Sequence, residues 1–390
     1  MDLFSGLGLF LNGLFASTLI ALNLFLGSAS SLVSSYFPTT PPQTTVVRET
    51  PTKPTTVATS STKTTAAATS TPKKPDVKVV AKKITPAASS TSTTQTTKVA
   101  LAPIIDPELV NTTARASIVN ILCIAAVGGS VRSISGSGVI VDARGVVLTN
   151  AHIAQYFLLK DYPTKNSVDC TIRTGSPAQP MYRASLLYLP PAWINENASQ
   201  ITAEHGLGTG ENDYAFLLIT STTNPAGTLP SSFTNIAMSG AMPDTGDGAL
   251  VAGYPAGFLD GITIEKNLYA TSAFTTIGQL YTFNTSSNVD VVSLGGTVVS
   301  QGGSSGGAVV RTYDGKLIGL IATATTGDTT ASRDLRAITI SYINRSLAAA
   351  GKNGLAEFLS LDLKAEAAAF LSKTFVEERQ KLVDALTPAR

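Results

Sequence analysis

Apolar and polar positions fall into three regimes along the chain. From Leu3 to Leu26 apolar residues run without a charge, long enough as one helix to span a bilayer. Residues 39–97 are dominated by threonine, with serine, alanine, proline and lysine making up much of the rest and few large apolar side chains. Such a stretch buries too little to offset its chain entropy, which predicts a disordered, extended linker. From Ala114 short β-rich runs alternate with Gly, Asn, Asp and Pro turns. They are Ser117–Ala125, Val131–Ile134, Gly138–Val141, Val146–Thr149, Tyr214–Thr220, Ala249–Ala252, Ile262–Ile264, Val289–Val292, Ala308–Arg311, Leu317–Thr323 and Ala337–Ile340. Many short strands with regular turns predict an all-β sandwich or barrel system. A hairpin is expected across Asp142-Ala143-Arg144-Gly145. Ser341 is placed to cap a short helix ending near Gly351. Leu355–Leu386 carries a loose apolar stripe, including Phe358, Leu359, Phe370, Leu382 and Leu386, that predicts an amphipathic helix packing on the β body. The expected organisation is an apolar segment at 1–36, a linker at 37–100, a β domain at 101–350 and a helix at 351–390.

Charge sharpens this division. The 390 residues sum to a net charge of +2, but residues 37–98 hold nine Lys or Arg against Glu49 and Asp76. With no concentrated basic surface on the globular part, nucleic acid is excluded as a main partner. The segment at 1–36 reads as a signal, with small residues Gly27-Ser28-Ala29-Ser30 offering a cut after Ala29, or as a retained membrane anchor. Either way the chain is expected outside the cytoplasm, membrane-anchored or secreted. Asp2 stands where a signal or anchor carries Lys or Arg, so orientation is weakly specified. Two cysteines exclude a disulfide-dense scaffold and a four-cysteine zinc site, and two histidines exclude a histidine-rich metal site. No metal and no cofactor is expected.

Three short segments carry the chemistry. Val147-Leu148-Thr149-Asn150-Ala151-His152 ends a strand on a histidine. Glu211-Asn212-Asp213-Tyr214-Ala215-Phe216 puts an aspartate at the mouth of an apolar strand. Gln301-Gly302-Gly303-Ser304-Ser305-Gly306-Gly307-Ala308 sets a serine in a glycine-dense loop. A serine hydroxyl is a poor nucleophile without an adjacent base. Histidine takes that proton and returns it to the leaving amine. A buried carboxylate fixes the imidazole tautomer, and glycines let backbone N–H groups converge on an oxyanion.

In the order His, Asp, Ser on β-rich flanks, these segments resemble the trypsin/chymotrypsin-like serine endopeptidases. The sequence is most similar to the bacterial Htr-type branch, through Ser135-Gly136-Ser137-Gly138-Val139-Ile140, Gly253-Tyr254-Pro255-Ala256-Gly257 and Asp314-Gly315-Lys316-Leu317-Ile318-Gly319. The resemblance spans about 114–345 and implies two antiparallel six-stranded β-barrels, chymotrypsin-like, with the site between them. It implies His152 as general base and acid, Asp213 as the orienting carboxylate and Ser305 as nucleophile. It also implies the N–H groups of Gly303 and Ser305 as the oxyanion hole. Ser304 replaces the Asp that digestive members use to hold a newly cut N-terminus, so that activation route is not expected. The residues after Arg345 are too few for the peptide-binding domain that follows the protease in the Htr branch. Pro163–Gly210 reads as a long insertion, with His205 as a surface loop residue.

By the same resemblance the S1 pocket has Val299 and Ser300 at its base and Ala322-Thr323-Ala324 as its wall. No acidic residue sits there, and a buried Lys or Arg without a partner is costly, so small to medium apolar P1 residues are expected. Cys123 and Cys170 have two readings, buried free thiols or a bridge across the first barrel, with export favouring the bridge. The expected activity is a serine endopeptidase acting through an acyl-enzyme on unfolded or surface-exposed polypeptides, joined to a membrane by its N-terminal segment. The alternative is a catalytically inactive, protease-like surface binding protein. The sequence fixes no oligomeric state.

Overall fold

The computed structural model describes residues 105–126, 131–203, 208–285 and 287–387. The expected N-terminal segment, the linker and His205 lie outside the described residues. Among the described residues no helix is long and apolar enough to cross a membrane.

Helix α1 (Pro107–Ser117) opens the globular part. Asp106 caps it by accepting from the Glu108 N–H at 2.9 Å, and Pro107 takes the first turn, where its missing N–H costs nothing. Six antiparallel strands then close a barrel. They are β1 (Ile118–Ala125), β2 (Ile134–Asp142), β3 (Val146–Thr149), β4 (Val168–Thr174), β5 (Gln179–Tyr188) and β6 (Ala215–Thr222), in the order β1-β2-β3-β6-β5-β4. The ring closes where β1 pairs β4, from Asn120 against Arg173 to Ala125 against Val168. Cys123 and Cys170 face each other in this ladder and form a disulfide with S–S 2.05 Å.

The stretch expected as an insertion therefore supplies two of the six barrel strands. Its β5 escapes a pattern reading because Gln179-Pro180-Met181 is exposed while Leu186-Leu187-Tyr188 is buried on both faces. Helix α3 (Pro191–Asn197), reached after the short turn α2 (Ala151–Ala154) that carries His152, buries Trp193 and Ile194 from the same stretch.

The second sheet has seven strands: β7 (Gly248–Gly253), β8 (Thr271–Thr276), β9 (Leu280–Tyr281), β10 (Val291–Ser293), β11 (Ala308–Arg311), β12 (Leu317–Ala324) and β13 (Leu335–Thr339). They run in the order β8-β7-β11-β12-β13-β10-β9. This corrects the expectation of a second six-stranded barrel, because the sheet does not close. Its edge strand β9 is two residues long, too short for a ladder against β8, and Gly278 in the link donates instead to Ser293 O at 2.8 Å. Ile262–Ile264, expected as a strand, lies in helix α4 (Gly261–Lys266). The Asp260 carboxylate accepts from the Thr263 N–H at 3.0 Å and starts it.

Strands β2, β3 and β6 are apolar on both faces, and both faces are used. Ile140, Val147 and Leu217 fill the barrel, while Val139, Leu148 and Phe216 join a second core. That second core is shared with Leu250, Ala308, Leu320 and Ile338 of the other sheet, so the two sheets meet across it. Helix α5 (Ile340–Leu347) packs there too. Its cap is the Thr339 hydroxyl, which accepts from the Tyr342 N–H at 3.0 Å; Ser341, expected in that role, lies inside the helix.

The single C-terminal helix of the sequence reading is three: α6 (Leu355–Ser360), α7 (Leu363–Lys373) and α8 (Phe375–Leu386). Asp362 breaks the run by capping α7 through the N–H groups of Lys364 and Ala365. Phe358 is fully buried on the outer barrel face, 5.2 Å from the ring of Phe216 and 6.0 Å from that of Tyr188. Arg144 of the β2–β3 hairpin, paired with Asp142, donates to Leu359 O at the end of α6, where a cation suits the helix dipole. Phe358→Ala removes the ring from this cluster and should cost about 3–5 kcal/mol, read by chemical denaturation of the full chain.

Candidate active site

Three elements deliver the site. Strand β3 ends at Thr149, and the next turn carries Asn150, Ala151 and His152. Asn150 is wholly buried, and its amide donates to Asp213 O at 2.8 Å, fixing the backbone of the aspartate beside that turn. The Asp213 carboxylate then grips His152 twice. Oδ1 accepts the His152 backbone N–H at 3.0 Å, and Oδ2 lies 2.8 Å from Nδ1. The carboxylate is 9% exposed and the imidazole 30%. Nδ1 is therefore engaged on the protein side, and the other ring nitrogen is left for a reacting proton.

Asp213 is held from behind by α5. Asn212, at φ +55°, donates its N–H to the Tyr342 hydroxyl at 2.9 Å. Its side-chain carbonyl accepts from Ser346 at 2.9 Å. Burial pushes the Tyr342 hydroxyl well above its usual pKa, so it stays a neutral donor and acceptor in this network. Burial, with the carboxylates of Glu196 and Asp290 as like charges, also raises Glu211.

The serine arrives from the second sheet, in the loop before β11. Ser137 on β2 donates its N–H to Ser305 O at 2.7 Å, and Gly306 donates to Ile321 O at 2.8 Å. Gly306 has φ +84°, and a Cβ there would lie 2.0 Å from Ser137 O and 2.6 Å from Thr149 Oγ1. Only glycine allows this approach, which seats Ser305 beside the strand end that carries His152. The Ser305 residue is half-buried, and its hydroxyl makes no hydrogen bond among the described residues. Ser304 before it is buried, and its hydroxyl has no partner there.

The N–H groups of Gly303 and Ser305 are aimed by their own peptides. In a trans peptide the C=O and N–H point opposite ways. Gly302 O accepts from Ala256 N at 2.7 Å and Ser304 O from Gly307 N at 2.9 Å. Both carbonyls are thus turned away, and both N–H groups face the other side, without an acceptor among the described residues.

The five residues expected at S1 differ in burial. Val299 is fully buried in the core of the second sheet with Ile277, Leu294 and Leu335. Ser300 is fully buried, and its hydroxyl accepts from the Thr297 N–H at 2.9 Å. Ala322 is buried in the shared core; Thr323 is half-buried and Ala324 exposed, so these two alone of the five reach the surface. The sequence reading missed Arg333. Its guanidinium donates to Gly327 O at 2.9 Å and Ser300 O at 3.3 Å, and lies 5.4 Å from the Phe258 ring. No motif marks it, because only the folded loops bring Ser300 and Gly327 together. Among the described residues no group of three or more His, Cys, Asp or Glu could hold a metal ion.

The sheet-rich fold, one closed barrel and one open sheet, is chymotrypsin-like. Residues 136–320 match the family model described as the trypsin-like peptidase domain. Residues 136–320 are thus similar to that domain, and the chain is a serine peptidase, a hydrolase whose substrates are polypeptides. No curated protein matches the sequence. Among solved structures, the active form of the Rv3671c protease from M. tuberculosis is similar at 19% identity, with 66% of this chain and 93% of that chain covered and a TM-score of 0.36.

Proposed function

We propose that the protein is a serine endopeptidase in which Ser305 is the nucleophile, His152 the general base and acid, and Asp213 the orienting carboxylate. The observation that carries this is the double grip of Asp213 on His152, at 3.0 and 2.8 Å. It occupies Nδ1 and leaves Nε2 as the nitrogen to take the serine proton. Ser305 Oγ attacks the scissile carbonyl while Nε2 takes its proton, and the C=O π pair moves onto oxygen. The N–H groups of Gly303 and Ser305 receive that oxyanion. Its collapse breaks the C–N bond, and the imidazolium gives the proton to the leaving amine. Water, deprotonated by His152, then releases the acid and restores Ser305.

The Htr-type motifs support a place in that branch. The expectation of small to medium apolar P1 residues has a second support in Arg333. Its guanidinium beside Ser300 would repel a P1 Lys or Arg. Export, with residues 1–36 as signal or anchor, rests on the uncharged run from Leu3 to Leu26.

The test is to incubate the full chain with a fluorophosphonate probe and, separately, with unfolded casein. One probe per chain, found on Ser305 by peptide mass mapping, and cuts after Val, Ala or Leu are expected. Labelling elsewhere would overturn the triad, and cuts mainly after Lys or Arg would overturn the specificity.

A further inference from the structure

The Ser135-Gly136-Ser137-Gly138 segment of β2 holds a hydroxyl that the triad chemistry does not use. Ser137 is fully buried, lies in the barrel, and makes its contacts to the loop of the other sheet. Its Oγ donates to Gly303 O at 2.8 Å and accepts from the Tyr254 N–H at 2.9 Å. Its N–H donates to Ser305 O at 2.7 Å, and its own O accepts from Thr149 Oγ1 at 2.7 Å. Four consecutive carbonyls of the nucleophile loop, those of 302 to 305, are each held by one donor. Ala256 N holds the first, Ser137 Oγ the second, Gly307 N the third and Ser137 N the fourth. One residue of the barrel thus supplies two of the four.

We infer that Ser137 is a positioning residue that keeps the oxyanion hole in its donating orientation; this rests on the triad reading above. The physical reason lies in the glycines. Gly302 and Gly303 have no Cβ, so the peptide between them rotates at low cost. Rotation would exchange the Gly303 N–H for the Gly302 C=O and set like charge against the developing oxyanion. The Ala256 N–H on Gly302 O opposes it directly, and the Ser137 hydroxyl on Gly303 O fixes the following peptide, which limits how Gly303 can turn to allow it. The hydroxyl also holds Tyr254, two residues before Ala256, so one group steadies both sides of the loop. Tyr254 is itself fixed, with its own hydroxyl donating to Gly175 O at 2.9 Å. Ser137 touches neither substrate nor His152, and its effect passes through Gly303 and Ser305.

Removing the hydroxyl should therefore weaken transition-state binding and spare ground-state binding. In the full chain, Ser137→Ala should lower kcat about 30-fold, short of the ~10²–10³ that follows loss of an oxyanion donor outright. KM should stay within about twofold, because the substrate carbonyl gains its full hydrogen bonds only as the oxyanion forms. Affinity for a peptide aldehyde, whose hemiacetal places an oxyanion in the same hole, should fall by the same factor as kcat. Ser137→Thr restores the hydroxyl and should recover most of both.

An Ala variant that melts cooperatively and keeps wild-type kcat and aldehyde affinity would overturn the role. So would a rise in KM alone, which marks disturbed packing. If the Ala variant does not fold, the Thr variant decides: folded with the full loss of kcat, it removes the hydroxyl from the argument. Wild type that neither labels with fluorophosphonate nor cleaves would instead overturn the triad reading beneath it.

Discussion

Ser305→Ala should remove turnover of a peptide substrate by about a million-fold and abolish fluorophosphonate labelling, while substrate still binds. The size follows from the way the parts act together. Without the hydroxyl, His152 has no proton to accept in the attacking step, so its grip by Asp213 contributes nothing to that step. What survives is the binding of a carbonyl beside the Gly303 and Ser305 N–H groups, worth about 10³–10⁴ over water. The fold should be untouched, since the loop is held through backbone carbonyls and the Ser305 hydroxyl has no partner among the described residues to lose. The measurement is initial rate on a fluorogenic peptide beside a denaturation curve for each protein. A cooperative, wild-type-like unfolding transition with residual cleavage above about 1% would show that another group is the nucleophile.

The residues of the proposed triad were legible in the sequence because each sits in a short local segment. A histidine just past a strand, an aspartate opening an apolar strand and a serine among glycines need no knowledge of distant contacts. The apolar runs of β2, β3, β6, β11 and β12 were legible for the same reason. Strand β5 was not, since its exposed Pro180 and Met181 and its doubly buried Leu186 and Leu187 match neither a helix nor a strand period. Ile262–Ile264 has β-branched residues, yet the Asp260 cap decides for helix. The packing of Val299 into the core of the second sheet was not legible, because Ile277, Leu294 and Leu335 come from other segments of the chain. Ser137 was in a motif, though its role depends on Gly303 and Tyr254, which lie more than a hundred residues away in the chain.

Asp213→Asn should lower kcat by about 10,000-fold with little change in folding, and the geometry says why. Oδ1 accepts the His152 backbone N–H at 3.0 Å and Oδ2 faces Nδ1 at 2.8 Å. An asparagine keeps the first bond only if its oxygen stays at the backbone N–H. Its NH₂ then faces Nδ1 and donates to it. The ring must answer by carrying its proton on Nε2, the tautomer that cannot take the proton of Ser305. Turning the amide over would aim an NH₂ at a backbone N–H, which is repulsive, so the variant stays in the inactive tautomer. Asn150 still holds Asp213 O, and α5 still holds Asn212, so the turn itself keeps its shape. Proton NMR should show the resonance of the Nδ1 hydrogen disappear in the variant, with wild-type thermal unfolding. Equal kcat in the two proteins would mean that His152 is oriented by its backbone contact alone and that the carboxylate plays no part in the reaction.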